Sequence, residues 1–459
     1  MQTLIIRFNE IKDRFEARYY INFDKINKVF WSNPVLTLKK ISTLKGGYTP
    51  SYNHFLKEPI EKEIFKTTFP FIKSSNVKRG FLDLNNLFYI SEYAQRNLLK
   101  KSIVQKGDVL IAMTGTVGAV ALVPKDVKEG NISQNVVRIR IKEKFLKKIP
   151  KEYLIAILNS KFGQIQIQGL LTSTNQKYLN QIEIGKIKIP LLKNLRELAN
   201  LYKKIYEIEH LSFNKITHAK QIFEKEIGTN YQNIPGGKVY VVYANELTDF
   251  LTPKFYYPKY LNTLRQLKRK FKTVKLGGIA DIKKGDEVGS ENYKKYIDKK
   301  DSDVPFIRTS DLVNYEIDNY PDYYVDEEIY KELNQDLRPN DILFTKDGKI
   351  GLTAMATSED RCILASGIAR IRPTKEVDPF YLFLVLSTKI GLYQALQRVV
   401  IASTIPHLRP ERLAEIEIPL INPQKQKKIS DLVKEAFQLK TKKKKLIKKA
   451  MNMVENVLK

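Results

Sequence analysis

The residues with the plainest chemical possibility lie in Gly107-Asp-Val-Leu-Ile-Ala-Met-Thr-Gly-Thr-Val-Gly118. An apolar, strand-like run ends there in Gly115-x-x-Gly118, and a glycine-rich turn that frees backbone N–H groups is a common phosphate cradle. The pattern lacks the Gly-Lys-Ser/Thr ending of a P-loop. It also lacks the third glycine and the following acidic residue of a dinucleotide fold. A GxxG clamp on single-stranded RNA would need its own helical context. The same glycines recur at Gly348 and Gly351, where Lys346-Asp347 replaces Met113-Thr114. Glycines that persist while their neighbours change read as a backbone turn, with a side chain or two beside it available for contacts.

Other reactive groupings also fail on spacing. Asp341 with Lys346 and Asp347 has the composition of a nuclease cluster, but the matching residues Asp108, Met113 and Thr114 lose half of it. The four histidines, His54, His210, His218 and His407, form no metal-binding pair. Cys362, the single cysteine, excludes an internal disulfide and a thiolate-rich metal site. Neither Asn33-Pro-Val-Leu36 nor Asn233-Ile-Pro-Gly236 supplies an amino-methylating tetrapeptide. No catalytic constellation and no metal site is expected.

The elements that carry these residues repeat. Arg14-Phe-Glu-Ala-Arg-Tyr-Tyr20 is echoed by Leu251-Thr-Pro-Lys-Phe-Tyr-Tyr257, and Phe69-Pro-Phe-Ile-Lys-Ser-Ser-Asn76 by Val304-Pro-Phe-Ile-Arg-Thr-Ser-Asp311. Gly107–Gly118 pairs with Asn340–Gly351, Val137-Arg-Ile-Arg140 with Ala369-Arg-Ile-Arg372, and Ile187-Lys-Ile-Pro190 with Ile416-Glu-Ile-Pro419. Matched blocks in one order are a duplication. Each copy ends in a stretch of more than 30 residues with apolar side chains at helical spacing. Gly228 and Pro235-Gly-Gly237 close the first of these.

The expected fold class is α+β: two homologous domains of mixed, mainly antiparallel sheet with helices, each followed by a long helix. The two helices are expected to pack antiparallel as a coiled-coil spacer with pseudo-two-fold symmetry. The boundaries read as domain one 1–192, helix and linker 193–234, domain two 235–421 and the C-terminal helix 422–459. About 35 residues at 1.5 Å each make a strut of roughly 50 Å, the length of about 15 base pairs.

Charge points to the partner. Lys plus Arg number 79 against 50 Asp plus Glu, a net +29 in 459 residues, which favours a polyanion, nucleic acid above all. The excess runs through the chain rather than along one amphipathic helix, which argues against a membrane surface. No apolar run reaches the length of a membrane span, and the N-terminus lacks a secretory core, so a cytoplasmic location is expected.

The candidate DNA contacts are Lys73, Ser74, Asn76, Lys78 and Arg79 in one loop and Ser173, Asn175, Gln176 and Lys177 in another. Their counterparts are Arg308 and Ser310, then Ser403, His407 and Arg409. Thr114 and Thr116 flank the first glycine turn, and Lys346 and Lys349 the second; Lys283 and Lys284 complete the set. The run Lys440-Thr-Lys-Lys-Lys-Lys445 interrupts the apolar seam of the last helix and reads as solvated, with a phosphate or acidic partner as the alternative.

Two diverged domains, each followed by a long helix, resemble the specificity subunit of type I restriction–modification systems. The carriers are the Tyr-Tyr, Pro-Phe-Ile, Gly-Asp-Val-Leu/Asn-Asp-Ile-Leu and Ile-x-Ile-Pro blocks in repeated order; the first Tyr-Tyr block departs in having Glu-Ala rather than Pro. The resemblance implies that each target-recognition domain reads one half of a split double-stranded DNA sequence. It also implies that the helices dock two methyltransferase subunits, joined by restriction/translocase subunits. S-adenosylmethionine, ATP and Mg would belong to those partners and no cofactor to this non-catalytic chain. The rival readings are the recognition subunit of a two-component type IIB-like system, an RNA-binding scaffold and a self-contained nuclease.

Overall fold

The structure, a computed structural model, describes residues 30, 33–51, 68–172, 177–228, 239–248, 251–286, 304–374, 376–400 and 405–457. The early block around Arg14–Tyr20 lies outside these residues, as do Ser173, Asn175, Gln176 and Ser403. Packing divides the chain into two units. One runs to His210 and includes the residues from Lys445 onward; the other runs from Leu211 to Lys444.

Each unit is built on the same antiparallel sheet. In the first, β1 (Ser42–Gly46), β2 (Val109–Ala112), β3 (Val120–Leu122) and β4 (Val136–Ile141) lie in the order β1-β4-β2-β3. In the second, β5 (Ala280–Lys284), β6 (Ile342–Thr345), β7 (Thr353–Met355) and β8 (Ile368–Pro373) repeat it as β5-β8-β6-β7. β2 and β6 are buried along their whole length, so their continuous apolar runs, rather than an alternation, mark central strands. A further sheet makes each unit mixed. Thr68–Ile72 lies between antiparallel Phe88–Ser91 and parallel Glu129–Ile132, and Val304–Ile307 between antiparallel Tyr323–Val325 and parallel Ile363–Leu364.

The expected short helices form at Lys151–Asn159 and Pro379–Leu386. Their buried tyrosines are fastened alike: Tyr153 Oη donates to the Pro190 carbonyl at 2.6 Å, and Tyr381 Oη to that of Pro419 at 2.6 Å. These carbonyls belong to the Ile-x-Ile-Pro exits, so one hydrogen bond per copy ties the core helix to the strand that leaves the domain. Pro379–Leu386 and Lys389–Gln397 are apolar because most of their side chains are core; no single helix among the described residues is long and apolar enough to cross a membrane.

The long helices are α1 (Leu195–Ile227) and α2 (Pro423–Val457). Gly228, at φ +63°, ends α1 with its N–H on the Glu224 carbonyl at 3.0 Å. In the second unit Lys215 pairs with Glu435 at 2.5 Å and Glu226 with Lys425, so α1 and α2 run antiparallel there. In the first unit the Tyr202 hydroxyl meets Met451 Sδ at 3.8 Å, which continues the same sense.

The lysine run on α2 is only partly solvated: Lys442 and Lys445 are exposed, but Lys440, Lys443 and Lys444 are buried. Ile429, Val433, Ala436, Lys440, Lys443, Ile447, Ala450 and Val454 are all buried, and they follow one another at spacings of four and three. That spacing is the buried seam of a coiled coil, so Lys440 and Lys443 stand where apolar residues would. Glu316 pairs with Lys443 and lies 3.6 Å from Lys440, while Asp360 pairs with Lys444. The charge pattern misled because the carboxylates that permit burial come from turns more than 80 residues away.

The glycine turns are architecture. Gly115 and Gly348 have φ of +68° and +65°, and Gly118 and Gly351 of +82° and +91°. A Cβ on Gly118 would lie 2.5 Å from Ile167 Cγ2, and one on Gly351 2.5 Å from Leu392 Cδ1. Gly118→Ala and Gly351→Ala therefore combine a left-handed backbone with overpacking and are expected to cost about 2–4 kcal/mol in urea unfolding. Gly348→Ala, with open space around it, is expected to cost about 1–2 kcal/mol; equal losses at both positions would contradict this packing. Glu316→Leu leaves two lysines buried without their carboxylate and is expected to cost about 3–5 kcal/mol. Replacing Glu316, Lys440 and Lys443 together by Leu is expected to restore the melting temperature.

Candidate nucleic-acid interface

Segments far apart in sequence meet at the glycine turn of each unit. In the first, the Thr116 hydroxyl donates to the carbonyls of Ser74 and Val77 at 2.8 and 3.0 Å, which fastens the 73–79 loop to the turn. The Leu179 N–H donates to the Met113 carbonyl at 3.0 Å and brings in the 177–180 segment. In the second unit Leu408 N–H donates to the Lys346 carbonyl at 2.8 Å, and Gly348 N–H to that of Pro406 at 3.0 Å. Gly367 leaves the space that the Thr309 and Asp347 side chains occupy, which draws the 308–311 turn to the same place.

A carboxylate–guanidinium fork braces the start of each central strand, at the end away from the glycine turn. Arg140 donates to both oxygens of Asp108 at 2.7 and 2.6 Å, and Arg372 to both oxygens of Asp341 at 2.7 Å. The same carboxylates accept a backbone N–H, from Gln105 at 2.9 Å and from Arg338 at 2.8 Å. Hydrogen bonding to Asp108 raises the Arg140 pKa, and bonding to Asp341 raises that of Arg372. Asp341, the nuclease candidate, thus has a duplicate in Asp108 and a structural partner in each copy. Among the described residues no group of three or more His, Cys, Asp or Glu side chains could hold a metal ion.

The approach to the turn carries a cation over a ring in both units. Lys73 Nζ sits 3.5 Å from the Phe88 centroid, and the Arg308 guanidinium 3.8 Å from that of Tyr323. Partial burial pulls the Lys73 pKa below its ordinary value. Arg308 also reaches Asp322 at 3.4 Å. The backbone here is set by a matched cap: Asn76 Oδ1 accepts from Lys73 N–H at 2.9 Å, and Asp311 Oδ2 from Arg308 N–H at 2.8 Å.

The expected contact residues divide accordingly. Ser74, Arg79, Thr114 and Thr116 are half-buried around the first turn, and Lys177 is exposed beside it. Ser310, Lys349 and Arg409 are exposed and His407 is half-buried around the second. Three residues are placed otherwise. Asn76 and Lys78 are buried, the Asn76 amide being spent on its cap and on the Asn86 carbonyl at 3.0 Å. Lys346 is buried and holds Asp347 Oδ2 at 2.9 Å. Lys283 and Lys284 are exposed on β5 and line a different cleft with Asp281, Asp286, Asp336 and Arg370. Ser173, Asn175, Gln176 and Ser403 lie outside the described residues.

The expected contact residues did not include Asp347, or Tyr178 by itself, although both stand at the turns, with buried Met113 beneath Tyr178. Asp347 pairs with His407 Nδ1, and Tyr178 Oη lies 3.9 Å from Met113 Sδ. The signal was available: Leu179 and Leu408 make equivalent hydrogen bonds, so Tyr178 and His407 are matched positions within the repeat.

The chain matches the family model described as Type I restriction modification DNA specificity domain over residues 32–208 and again over 268–449. It is 29% identical over 177 residues to the type I restriction enzyme MjaIX specificity subunit of Methanocaldococcus jannaschii, a match that spans 36% of this chain and 40% of that relative's length. A solved type I restriction–modification S subunit from M. genitalium aligns at 14% identity and TM-score 0.34 over 93% of this chain and 94% of that one. The HsdS subunit from Thermoanaerobacter tengcongensis aligns at 16% identity and TM-score 0.27 over 93% and 95% of the two chains.

If the two forks are braces, Asp108→Asn and Asp341→Asn each lower stability by about 1–3 kcal/mol in urea unfolding. Unfolding curves that coincide with the parent chain would show that the forks carry no structural load.

Proposed function

We propose, since the chain belongs to the type I restriction–modification DNA specificity family, that each of its two units reads one half of a bipartite duplex DNA target. The family's role is sequence-specific DNA binding, and the chain is its non-catalytic recognition component. The observation that carries the finer reading is the contrast at the two turns. One backbone scaffold recurs with matched forks, caps and left-handed glycines, while the side chains at the loop tips differ. A duplicated frame with different tips is what an asymmetric target requires, because base identity is read by side-chain donors and acceptors.

Exposed Lys177, Lys349 and Arg409, with the stacked cations Lys73 and Arg308, supply phosphate contacts that set register without specifying sequence. The net charge of +29 suits this role. In this reading α1 and α2 set the unread spacer and dock two adenine-methyltransferase subunits. Restriction/translocase subunits complete the complex, and S-adenosylmethionine, ATP and Mg act in those partners.

Methylation mapping of DNA from cells that express the chain with its neighbouring methyltransferase gene tests the proposal. The expected result is methylated adenine in one bipartite motif, lost when the chain is omitted. Methylation by an active partner with no new motif would overturn it. With about 6–10 phosphate contacts, duplex affinity is also expected to fall about 10³–10⁵-fold between 50 and 200 mM salt, measured by fluorescence anisotropy.

A further inference from the structure

The geometry points to His407, held by Asp347 on buried Lys346, as a base-reading residue of the second unit that selects a base with an exocyclic amino group, adenine or cytosine. This inference rests on the reading of the chain as a DNA-specificity protein and adds the chemistry of one contact.

Three positions of the repeat form a small module. In the second unit Lys346 Nζ holds Asp347 Oδ2 at 2.9 Å, and Asp347 Oδ1 pairs with His407 Nδ1. In the first unit the same places hold Met113, Thr114 and Tyr178, with Tyr178 Oη 3.9 Å from Met113 Sδ. The backbone beneath is shared: Leu408 N–H donates to the Lys346 carbonyl at 2.8 Å, and Leu179 N–H to the Met113 carbonyl at 3.0 Å. A charged module and a neutral one thus hang from the same hydrogen bond.

Exposure separates support from reader. The Lys346 side chain is 3% exposed, that of Asp347 25% and that of His407 45%. The desolvation cost of a lysine so buried is offset only by a carboxylate that faces it, and Asp347 does. Asp347 accepts from the ammonium with one oxygen and pairs with the imidazole through the other, so it orients the more exposed His407 ring. We assign the ring its neutral form with Nδ1–H donated to Asp347, which leaves the Nε2 lone pair as an acceptor. The major-groove donors that match an acceptor there are adenine N6 and cytosine N4 amino groups. Tyr178 offers a hydroxyl and a ring at the matched place, which suits a different base.

The test uses the full complex with its methyltransferase partner. His407→Phe keeps a flat ring and removes Nε2. Its methylation motif is expected to become degenerate at one position of one half-site, with discrimination there lowered roughly 5- to 150-fold and the other half unchanged. Installing the first unit's set, Lys346→Met with Asp347→Thr and His407→Tyr, is expected to change the base preferred at that position. Unaltered specificity at every position would overturn the inference, as would uniform weakening on all sequences with the motif intact. A second measurement is independent of how well the variants fold. Base analogues that lack the exocyclic amino group are placed in turn at each position, and at one of them binding by the parent complex falls by the same factor; no loss at any position overturns the inference. If the parent complex methylates no motif, the proposed function itself fails, a result distinct from either of these.

Discussion

Both units depend on one close approach. The chain leaving β2 or β6 turns at a left-handed glycine against a neighbouring helix, with a side-chain methyl group of Ile167 or Leu392 in the place a Cβ would need. The turn is held in that position by backbone bonds to Ala112 and Thr345, at 2.9 and 3.0 Å. Everything offered to a ligand is fastened to it: the 73–79 loop through Thr116, the 177–180 segment through Met113, the 405–409 segment through Lys346 and Gly348. The constraint is steric and backbone-based, so it is indifferent to which side chains stand on the tips. That indifference lets one frame carry two different sets of side chains.

Charge is used in two ways that the net value conceals. Exposed lysines and arginines around the turns make a positive surface suited to phosphate. Others are structural. Arg140 and Arg372 lock β4 and β8 to the residues before β2 and β6, and Lys440, Lys443 and Lys444 lock α2 to Glu316 and Asp360. A buried cluster of this kind contributes less net stability than an apolar seam would, but it admits one register of α2 against its own unit.

The duplication, the long helices, the mixed sheet and the turn role of the glycines were legible in the sequence, because each leaves a local signature: repeated blocks, helical spacing, apolar runs, glycines that persist while their neighbours change. The surface was legible only in part. Arg308, Thr116 and His407, chosen by residue type and matched position, stand around the turns. Asn76 and Lys346 read as contacts from their type, yet their partners, the Asn86 carbonyl and Asp347, bury or consume them. Lys440 and Lys443 read as solvated because nothing nearby in sequence announces Glu316. What failed was long-range pairing, where burial depends on a partner that composition and period do not reveal.

The central claim, one scaffold presenting two reading surfaces, is tested most directly by hydroxyl-radical footprinting of the complex on a duplex bearing its methylated motif. Two protected patches separated by a stretch of cleavable backbone are expected, with alanine substitution of Lys349 and Arg409 thinning only one of them. A single continuous patch, or thinning of both by that substitution, would contradict it.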